Sequence, residues 1–258
     1  MTTAAARQRL DRALVERGLA PSRERAQALI ASGLVAVDGA AARSASSLVT
    51  ADAEIRVLGR DHPWASRGGL KLAGALDALC IECQGRVCLD AGASTGGFTD
   101  VLLARGAGLV YAVDVGHGLL EPRLAADARV RVLDRTNLRS LQSVPGPPPD
   151  LITLDLSFIS LRVVMPAVVA LAARPADIVA LFKPQFELGR DAVGRGGVVR
   201  DVSLARAEVD QFLNWMAATH DARVVHEPVP AVVRGAKGNQ EWFTHVRLYD
   251  GDVDEAAR

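Results

Sequence analysis

The feature that most constrains this chain is a glycine-rich turn that joins a predicted strand to a predicted helix within residues 86–99. The apolar run before the turn ends in Asp90 and is typical of a buried strand. Gly92, Gly96 and Gly97 then allow the backbone to turn tightly and to approach a ligand closely. A segment with helical periodicity follows the last glycine. This order of elements predicts a ligand site on an open α/β sheet.

Two further acidic residues follow apolar runs in the same way. Residues 108–113 lead into Asp114, which stands 24 positions after Asp90. A carboxylate at this place is suited to accept hydrogen bonds from the two hydroxyls of a ribose. Residues 130–133 lead into Asp134, which we expect to accept a bond from an adenine amino group. The spacing therefore predicts a cofactor that contains a nucleoside.

The turn itself narrows the choice of cofactor. Ser94 stands where the dinucleotide fingerprint needs glycine, and Phe98-Thr99 stands where a phosphate-binding P-loop needs lysine and a hydroxyl residue. The pattern D-x-G-x-x-x-G-G-F-[ST] is instead typical of enzymes that use S-adenosylmethionine (SAM), a cofactor without phosphate. Two alternatives stay open, a glycine-rich turn without a ligand and a nicotinamide enzyme. The residues predicted to bind SAM are Asp90, Gly92, Ala93, Ser94, Thr95, Gly96, Gly97, Phe98, Asp114 and Asp134.

Composition bounds the class of protein. The 258 residues allow one or two domains, and a hydrophobic content of 49% is ample for a core. No apolar run has the roughly 18–20 residues that a membrane-spanning helix needs, and the first residues lack the apolar core of a secretory signal. Three cysteines form no disulfide framework, and the Cys80–Cys83 spacing lacks the further ligands that zinc needs. We therefore expect a cytoplasmic protein without a membrane partner and without a metal.

Residues 1–59 predict a small α+β domain. A helix covers residues 10–17, and a second helix starts after Ser22, a residue suited to cap it. A strand over residues 34–37 runs into an Asp-Gly turn, and a further strand covers residues 54–58.

This predicted domain is locally basic, although the whole chain has a net charge of zero. Residues 7–25 hold six arginines and three acids. Surface arginines on short helices supply an electrostatic contact to a phosphate backbone. The alternative is a small domain with solvated arginines. The arginines predicted to bind RNA are Arg7, Arg9, Arg12, Arg17, Arg23 and Arg25.

A second domain follows a predicted linker over residues 60–66. Strands and helices alternate over residues 67–249, which predicts an α/β sheet of the Rossmann type. Residues 187–200 predict a long irregular segment of the kind that often forms a lid, and residues 250–258 predict a flexible tail. Strands are expected near 86–90, 109–114, 130–133, 151–155, 177–183, 222–229 and 241–248.

Lysine usage indicates the reactive residues. Only three of the 30 basic residues are lysines, Lys71, Lys183 and Lys237. A position that keeps lysine is a candidate for chemistry that arginine cannot perform, since only an amine loses its proton near neutral pH. Lys183 and Asp155 each follow a predicted strand, so both are expected at the carboxyl edge of the sheet. Glu241 opens the last strand and is expected at the same edge, while Lys237 is either a phosphate contact or a plain surface charge.

Two parts of the chain resemble known families. The N-terminal pair of short helices followed by Gly-Leu-Val-x-Val-Asp-Gly resembles the alpha-L RNA-binding module of a small-subunit ribosomal protein, pseudouridine synthases and bacterial tyrosyl-tRNA synthetases. The set Lys71, Asp155, Lys183 and Glu241 resembles the K-D-K-E tetrad of FtsJ-type ribose 2′-O-methyltransferases. With both parts together, the whole chain resembles the TlyA family, often labelled haemolysin A.

The resemblance implies an activity and its partners. The activity is SAM-dependent 2′-O-methylation of cytidine in the ribosomal RNA of one or both subunits, so ribosomal RNA and ribosomal subunits are the implied partners. Lys183 would take the proton of the 2′-hydroxyl or orient the oxygen, with Asp155 and Glu241 holding the two amines. Burial and the neighbouring Lys71 favour a neutral Lys183, whereas the two acids favour its charged form. The sequence leaves open which effect is larger.

Several alternatives remain at this point. Phe158 is predicted either to stack on a flipped target base or to be a core residue. The chain as a whole is alternatively an RNA-binding protein that has lost catalysis, a pore-forming haemolysin or a base-directed methyltransferase. The intact tetrad counts against the first of these, and the lack of a signal or spanning segment counts against the second. No Pro-Pro-Tyr or Pro-Cys element follows Asp155, which counts against the third.

Overall fold

The computed structural model describes residues 7–250, except positions 21, 32, 60, 61, 195 and 236 and the side chains at positions 28 and 190. The chain divides into two compact units between Pro63 and Trp64. Apart from Asp250, the predicted tail lies outside the described residues. Within the described part of the chain, no helix combines the length and the apolar character needed to cross a bilayer.

The first unit contains two helices and two small antiparallel sheets. Leu10, Leu14 and Ile30 from the helices pack with strand residues in one small core. Both predicted helices and both predicted strands are confirmed. The sequence does not predict β1 and β4, because three residues are too few to show alternation. The elements are β1 (Arg7–Arg9), α1 (Leu10–Glu16), α2 (Arg23–Ala31), β2 (Val35–Val37), β3 (Ala40–Ala41), β4 (Leu48–Thr50) and β5 (Ile55–Val57), with pairs β1–β4, β2–β3 and β2–β5.

The second unit is built on a seven-stranded sheet in the order β11-β12-β10-β9-β6-β7-β8. All seven strands predicted from the sequence are confirmed. The strands are β6 (Val87–Ala91), β7 (Leu109–Val113), β8 (Val130–Leu133), β9 (Leu151–Leu154), β10 (Ala176–Phe182), β11 (Arg223–Pro230) and β12 (Trp242–Leu248). The helices are α3 (Arg67–Ala78), α4 (Gly97–Ala104), α5 (Pro122–Ala125), α6 (Leu161–Leu171), α7 (Pro184–Glu187) and α8 (Val202–His220).

Helices cover both faces of this sheet. Successive strand residues alternate between two apolar cores, as Cys88 and Leu89 of β6 show. One core contains side chains of α3, α4 and α5, and the other contains those of α6 and α8. Burial on both faces explains why β9 and β10 are continuous apolar runs.

Strand direction decides which residues meet at the site. The strands from β10 to β8 are parallel, so their carboxyl ends lie at one edge of the sheet. β12 runs antiparallel to β10, and Phe182 pairs with Trp242 in register. The residue after β10 is Lys183 and the residue before β12 is Glu241, so this pairing places them side by side at the carboxyl edge.

Asp177 ties three strands together near the opposite edge. Its carboxylate accepts hydrogen bonds from Arg86 Nη1 (2.8 Å) and from His245 Nε2 (3.0 Å). Burial on its own would raise the pKa of this carboxyl, but the bonds from His245 and Arg86 hold the pKa at about 2.

Replacing Asp177 by Asn should therefore destabilise the second unit. We expect the free energy of unfolding at pH 7 to fall by about 2 kcal/mol, because the half-buried guanidinium of Arg86 loses one of its two carboxylate partners. The pKa of Asp177 is lower in the folded chain than in the unfolded chain. Its stabilisation is therefore present above about pH 4 and is lost as the pH falls toward 2.

Urea unfolding of both proteins from pH 2 to 7 measures this difference. The matched control is Asp210→Asn, which removes an exposed ion pair with Arg206 and should change stability by less than about 0.5 kcal/mol. Equal losses in the two variants would contradict the structural role of Asp177.

Candidate functional site

Four charged side chains from distant parts of the sequence meet in one cavity of about 400 Å³. Lys71 Nζ lies 2.6 Å from Glu241 Oε2, and Lys183 Nζ lies 2.6 Å from Asp155 Oδ1. Lys71 comes from α3, Asp155 follows β9, and the other two flank the β10–β12 pair. The structure therefore brings the whole predicted tetrad together, as two ion pairs.

Lys183 is held in a defined position. Its side chain is 9% exposed, and Nζ donates a second hydrogen bond to Ser157 Oγ at 3.0 Å. Gln185 approaches the Lys71–Glu241 pair, with Nε2 at 3.5 Å from Glu241 Oε1. An amine fixed in this way can orient a hydroxyl group in the cavity or accept its proton.

Sequence reasoning did not single out Ser157 and Gln185. Both stand two residues after a tetrad member, Ser157 after Asp155 and Gln185 after Lys183. Their polarity directly after buried strands was the available signal. Polarity alone does not identify the hydrogen-bond partner of either residue, because each bond joins segments that follow or precede different strands.

A second cavity, of about 430 Å³, lies beside the tetrad at the carboxyl ends of β6, β7 and β9. Gly92 has a φ of +85°, and a Cβ there would lie 2.6 Å from the carbonyl oxygen of Asp155, so the turn needs glycine. Asp114 accepts bonds from the backbone N–H groups of Ser94 (2.8 Å) and Gly116 (2.7 Å). The apolar side chains that line this second cavity are Val113, Val115, Leu138, Leu156, Ile159 and Val164.

A third cavity, of about 310 Å³, lies on the other side of the glycine-rich turn. Its lining is more polar than that of the second cavity, and it shares Lys71 and Asp155 with the tetrad cavity. Ala93, Thr95, Gly97, Phe98, Ser66, Arg67 and Arg234 also line it. An apolar cavity with a carboxylate at its rim suits a nucleoside, and a polar cavity next to it suits an amino-acid group, so the residues fit SAM.

Asp90 requires a correction, because it does not line any of these cavities. Its side chain is fully buried, and Oδ2 accepts bonds from Thr99 N (2.8 Å) and Thr99 Oγ1 (2.6 Å). Its Oδ1 has no hydrogen-bond partner among the described residues. Burial raises the pKa of this carboxyl to about 7. Asp90 therefore supports the start of α4 from inside the protein instead of facing the cofactor.

Asp134 does not line the cavity either, and its contact with the adenine stays a prediction. Its Oδ2 already accepts bonds from Gly118 N (2.8 Å) and His117 Nδ1 (2.9 Å). These bonds lower the pKa of Asp134 and connect it to the loop after β7. Thr136 and Asn137 line the cavity instead, since the chain turns inward only two residues later. Gly96 also lies outside the lining, where its φ of +96° shapes the turn.

Phe158 lies on the surface, so the interpretation as a core residue is wrong. Its side chain is 89% exposed, and its ring centroid is 5.1 Å from that of Phe186. It lines both the tetrad cavity and the apolar cavity. Its φ of +66° is rare for a bulky residue, and such backbone conformations concentrate at functional sites.

The six arginines predicted to bind RNA all belong to the first unit, but the structure distinguishes their surroundings. Arg17 donates to the backbone carbonyls of residues 50, 51 and 53, which is a structural role. Arg9 and Arg23 converge on the buried carboxylate of Asp11, and both remain about half exposed. The other three are Arg7, which is exposed, Arg12, which is exposed and pairs with Glu16, and Arg25, which is half-buried.

The raised pKa of Asp90 predicts a pH-dependent stability. Between about pH 4 and pH 7 the folded chain keeps a proton on Asp90 that the unfolded chain has lost, so the free energy of unfolding falls as the pH rises. The gap between 3.8 and about 7 corresponds to at most about 4 kcal/mol.

Asp90→Asn is uncharged at every pH and isolates this effect. We expect the stability of the variant relative to the wild type to increase from pH 4 to 7 and to level off above pH 7. Urea unfolding across this range measures the relative stability. A relative stability that does not change with pH would contradict a raised pKa at Asp90.

Comparison with known proteins agrees with this geometry. Residues 64–248 match the FtsJ-like methyltransferase family, and residues 8–55 match the S4 domain. The 16S/23S rRNA (cytidine-2′-O)-methyltransferase TlyA of Mycobacterium tuberculosis is 49% identical, over 94% of this chain and 91% of that protein. Hemolysin A of Brachyspira hyodysenteriae is 35% identical, over 92% of this chain and 98% of that protein.

A solved structure agrees as well. The structure described as "Putative hemolysin from Streptococcus thermophilus" superposes with a TM-score of 0.76 at 33% identity, over 98% of this chain and 92% of that chain. The fold class and the family resemblance predicted from the sequence are thereby confirmed. The chain belongs to the TlyA family, in which an FtsJ-like methyltransferase domain follows an N-terminal S4 RNA-binding domain.

Proposed function

We propose that this protein transfers a methyl group from SAM to the 2′-oxygen of a cytidine in ribosomal RNA. The observation that carries the proposal is the pair of ion pairs, Lys71–Glu241 and Lys183–Asp155, in a cavity that adjoins the glycine-rich turn. SAM supplies a methyl group on a sulfonium, which becomes neutral on transfer, so no oxyanion hole is needed. TlyA of Mycobacterium tuberculosis, a 16S/23S rRNA (cytidine-2′-O)-methyltransferase, is 49% identical to this chain.

The cofactor is held by the two cavities that flank the glycine-rich turn. Asp114 would accept hydrogen bonds from the ribose hydroxyls, and the apolar side chains beyond it would surround the adenine. The turn leaves space for the amino-acid end, and Thr95, Gly97 and Phe98 line that space. Asp90 contributes indirectly, because its bonds to Thr99 fix the start of α4.

Lys183 would orient the 2′-oxygen or take its proton. Asp155 and Ser157 fix two directions around Nζ, which leaves the third toward the cavity. Lys71, paired with Glu241, lines the same cavity. Much of the rate then comes from alignment of the oxygen with the methyl group.

RNA reaches this site through both domains. The exposed arginines of the S4 domain would bind phosphates and provide affinity without reading sequence. Exposed Phe158, backed by Phe186, stacks on the target base once it is flipped out of its helix. The partners are ribosomal RNA and ribosomal subunits in the cytoplasm.

We propose domain boundaries at residues 1–59 and 67–249, joined by the linker 60–66 and followed by the tail 250–258.

The test is methyl transfer from labelled SAM to purified ribosomal subunits and to their naked RNA. We expect label in 2′-O-methylcytidine after nuclease digestion, and a loss of about 100-fold or more in Lys183→Ala. Lys183→Arg keeps the charge but cannot lose its proton near neutral pH, so it should be similarly inactive. Bound SAM with no label in any ribosomal RNA would instead support an RNA-binding protein without catalysis.

Gly235 offers a second, independent test of the tetrad. A Cβ at this position would lie 2.3 Å from Glu241 Oε1, so the Glu241 carboxylate occupies space that only glycine leaves free. Gly235→Ala should therefore displace Glu241 from Lys71 and lower the rate of methyl transfer by about 100-fold.

The matched control for this variant is Gly189→Ala. A Cβ there meets no atom within 4 Å, and the backbone has no positive φ, so we expect the wild-type rate. SAM binding measured on both variants checks that each is folded. A wild-type rate in Gly235→Ala would show that the position of Glu241 does not limit the reaction.

A further inference from the structure

We propose that Arg234 and Lys237, carried by one turn before β12, form a site for the phosphate on the 3′ side of the methylated nucleotide. This inference rests on the proposed function, since it names a subsite for the same substrate. Arg234 lines the polar cavity beside the glycine-rich turn, and Lys237 lines the tetrad cavity. Both cavities share Lys71 and Asp155, so the turn borders the reacting centre from two sides.

The charge balance of these two cavities calls for an anion. Among the described residues, five cationic side chains line them against two carboxylates, Asp155 and Glu241. Each of those carboxylates is already paired with a tetrad lysine. SAM carries a sulfonium and an ammonium against one carboxylate, so it adds to the surplus of positive charge. This surplus favours an anionic ligand, and the phosphates of RNA supply one.

Neither Arg234 nor Lys237 is neutralised by an acidic side chain in the part of the chain that the structure describes. No carboxylate of the described residues forms an ion pair with either of them, whereas Arg9, Arg12 and Arg23 of the S4 domain each have an acidic partner. Arg234 Nη1 donates only to the carbonyl oxygen of Gly238, at 3.1 Å. Both side chains are exposed, which leaves their charges accessible to a ligand.

The turn that carries the two cations is rigidly attached. Gly235 N donates to the Asn239 carbonyl oxygen (3.0 Å), and Gly238 N donates to the Gly235 carbonyl oxygen (2.8 Å). The Asn239 side chain is buried, and it bonds the irregular segment through Val199 N (2.9 Å) and the Gly197 carbonyl oxygen (2.8 Å). A site built on this turn is therefore preorganised, which lowers the entropic cost of binding.

The chemistry of ribose identifies the phosphate. The 3′-phosphodiester is attached to the carbon next to the one that bears the 2′-hydroxyl. An RNA whose 2′-oxygen faces Lys183 must therefore place its 3′-phosphate within the same cavity or at its rim. The cations at the rim, apart from the tetrad, are those of this turn and Arg67 of α3.

Small ligands test the site in the full-length protein. With S-adenosylhomocysteine present, NMR titration compares cytidine 3′-monophosphate, cytidine 5′-monophosphate and cytidine. We expect the 3′-monophosphate to bind about fivefold more tightly than the other two ligands. Only its phosphate would reach Arg234 and Lys237 and gain charge-assisted hydrogen bonds from them. Arg234→Gln and Lys237→Gln should each remove this preference, and Lys237→Gln should leave the affinity for SAM unchanged.

Arg105→Gln is the control, because Arg105 follows the far end of α4 and pairs with exposed Asp77. It removes one positive charge but should keep the preference for the 3′-monophosphate. The proposal is overturned if the wild type shows no such preference or prefers the 5′-monophosphate. It is also overturned if Arg234→Gln loses SAM binding but keeps the preference, since the turn would then serve the cofactor carboxylate. Methyl transfer is measured in a separate assay. If the wild-type protein transfers no methyl group but still prefers the 3′-monophosphate, only the proposed function is refuted.

Discussion

The antiparallel pairing of β12 with β10 is the constraint on which the site depends. A wholly parallel sheet would put only the carboxyl ends of strands at the ligand edge. The reversed strand brings its first residues to that edge, so Glu241 stands beside Lys183. The same reversal places the turn with Gly235 and Asn239 directly above the tetrad. One strand direction thus supplies an acid and a basic turn that the parallel strands do not provide.

Pairing of charges explains why four ionisable groups can share a secluded cavity. A buried charge without a partner is costly, and each lysine here has a carboxylate at 2.6 Å. The tetrad is thereby neutral as a unit, which leaves the positive charge of the cavity to the surrounding arginines and Lys237. Asp90, by contrast, is buried without a cationic partner among the described residues. Burial therefore raises its pKa, and the carboxyl keeps its proton to a higher pH.

The sequence predicted the elements of the second unit well, because each long buried strand and each amphipathic helix has its own pattern. It was less successful for side chains that end a strand. Asp114 faces the cofactor cavity as predicted, yet Asp90 and Asp134 follow apolar runs in the same manner and do not line it. Whether such a carboxylate points to the ligand or is bonded inside depends on neighbouring loops. Phe158 was ambiguous for the same reason, since an aromatic residue after a strand is either core or surface.

The sequence by itself determined the fold class, the two domains and the identity of the tetrad, because periodicity, glycine spacing and scarce lysines are properties of short segments. Only the tertiary structure decided which of these side chains meet. Lys71 and Glu241 are 170 positions apart and form one ion pair, while Ser157 and Gln185 acquire a role only where strands adjoin. Contacts of this kind follow from strand order and direction, which no local pattern encodes.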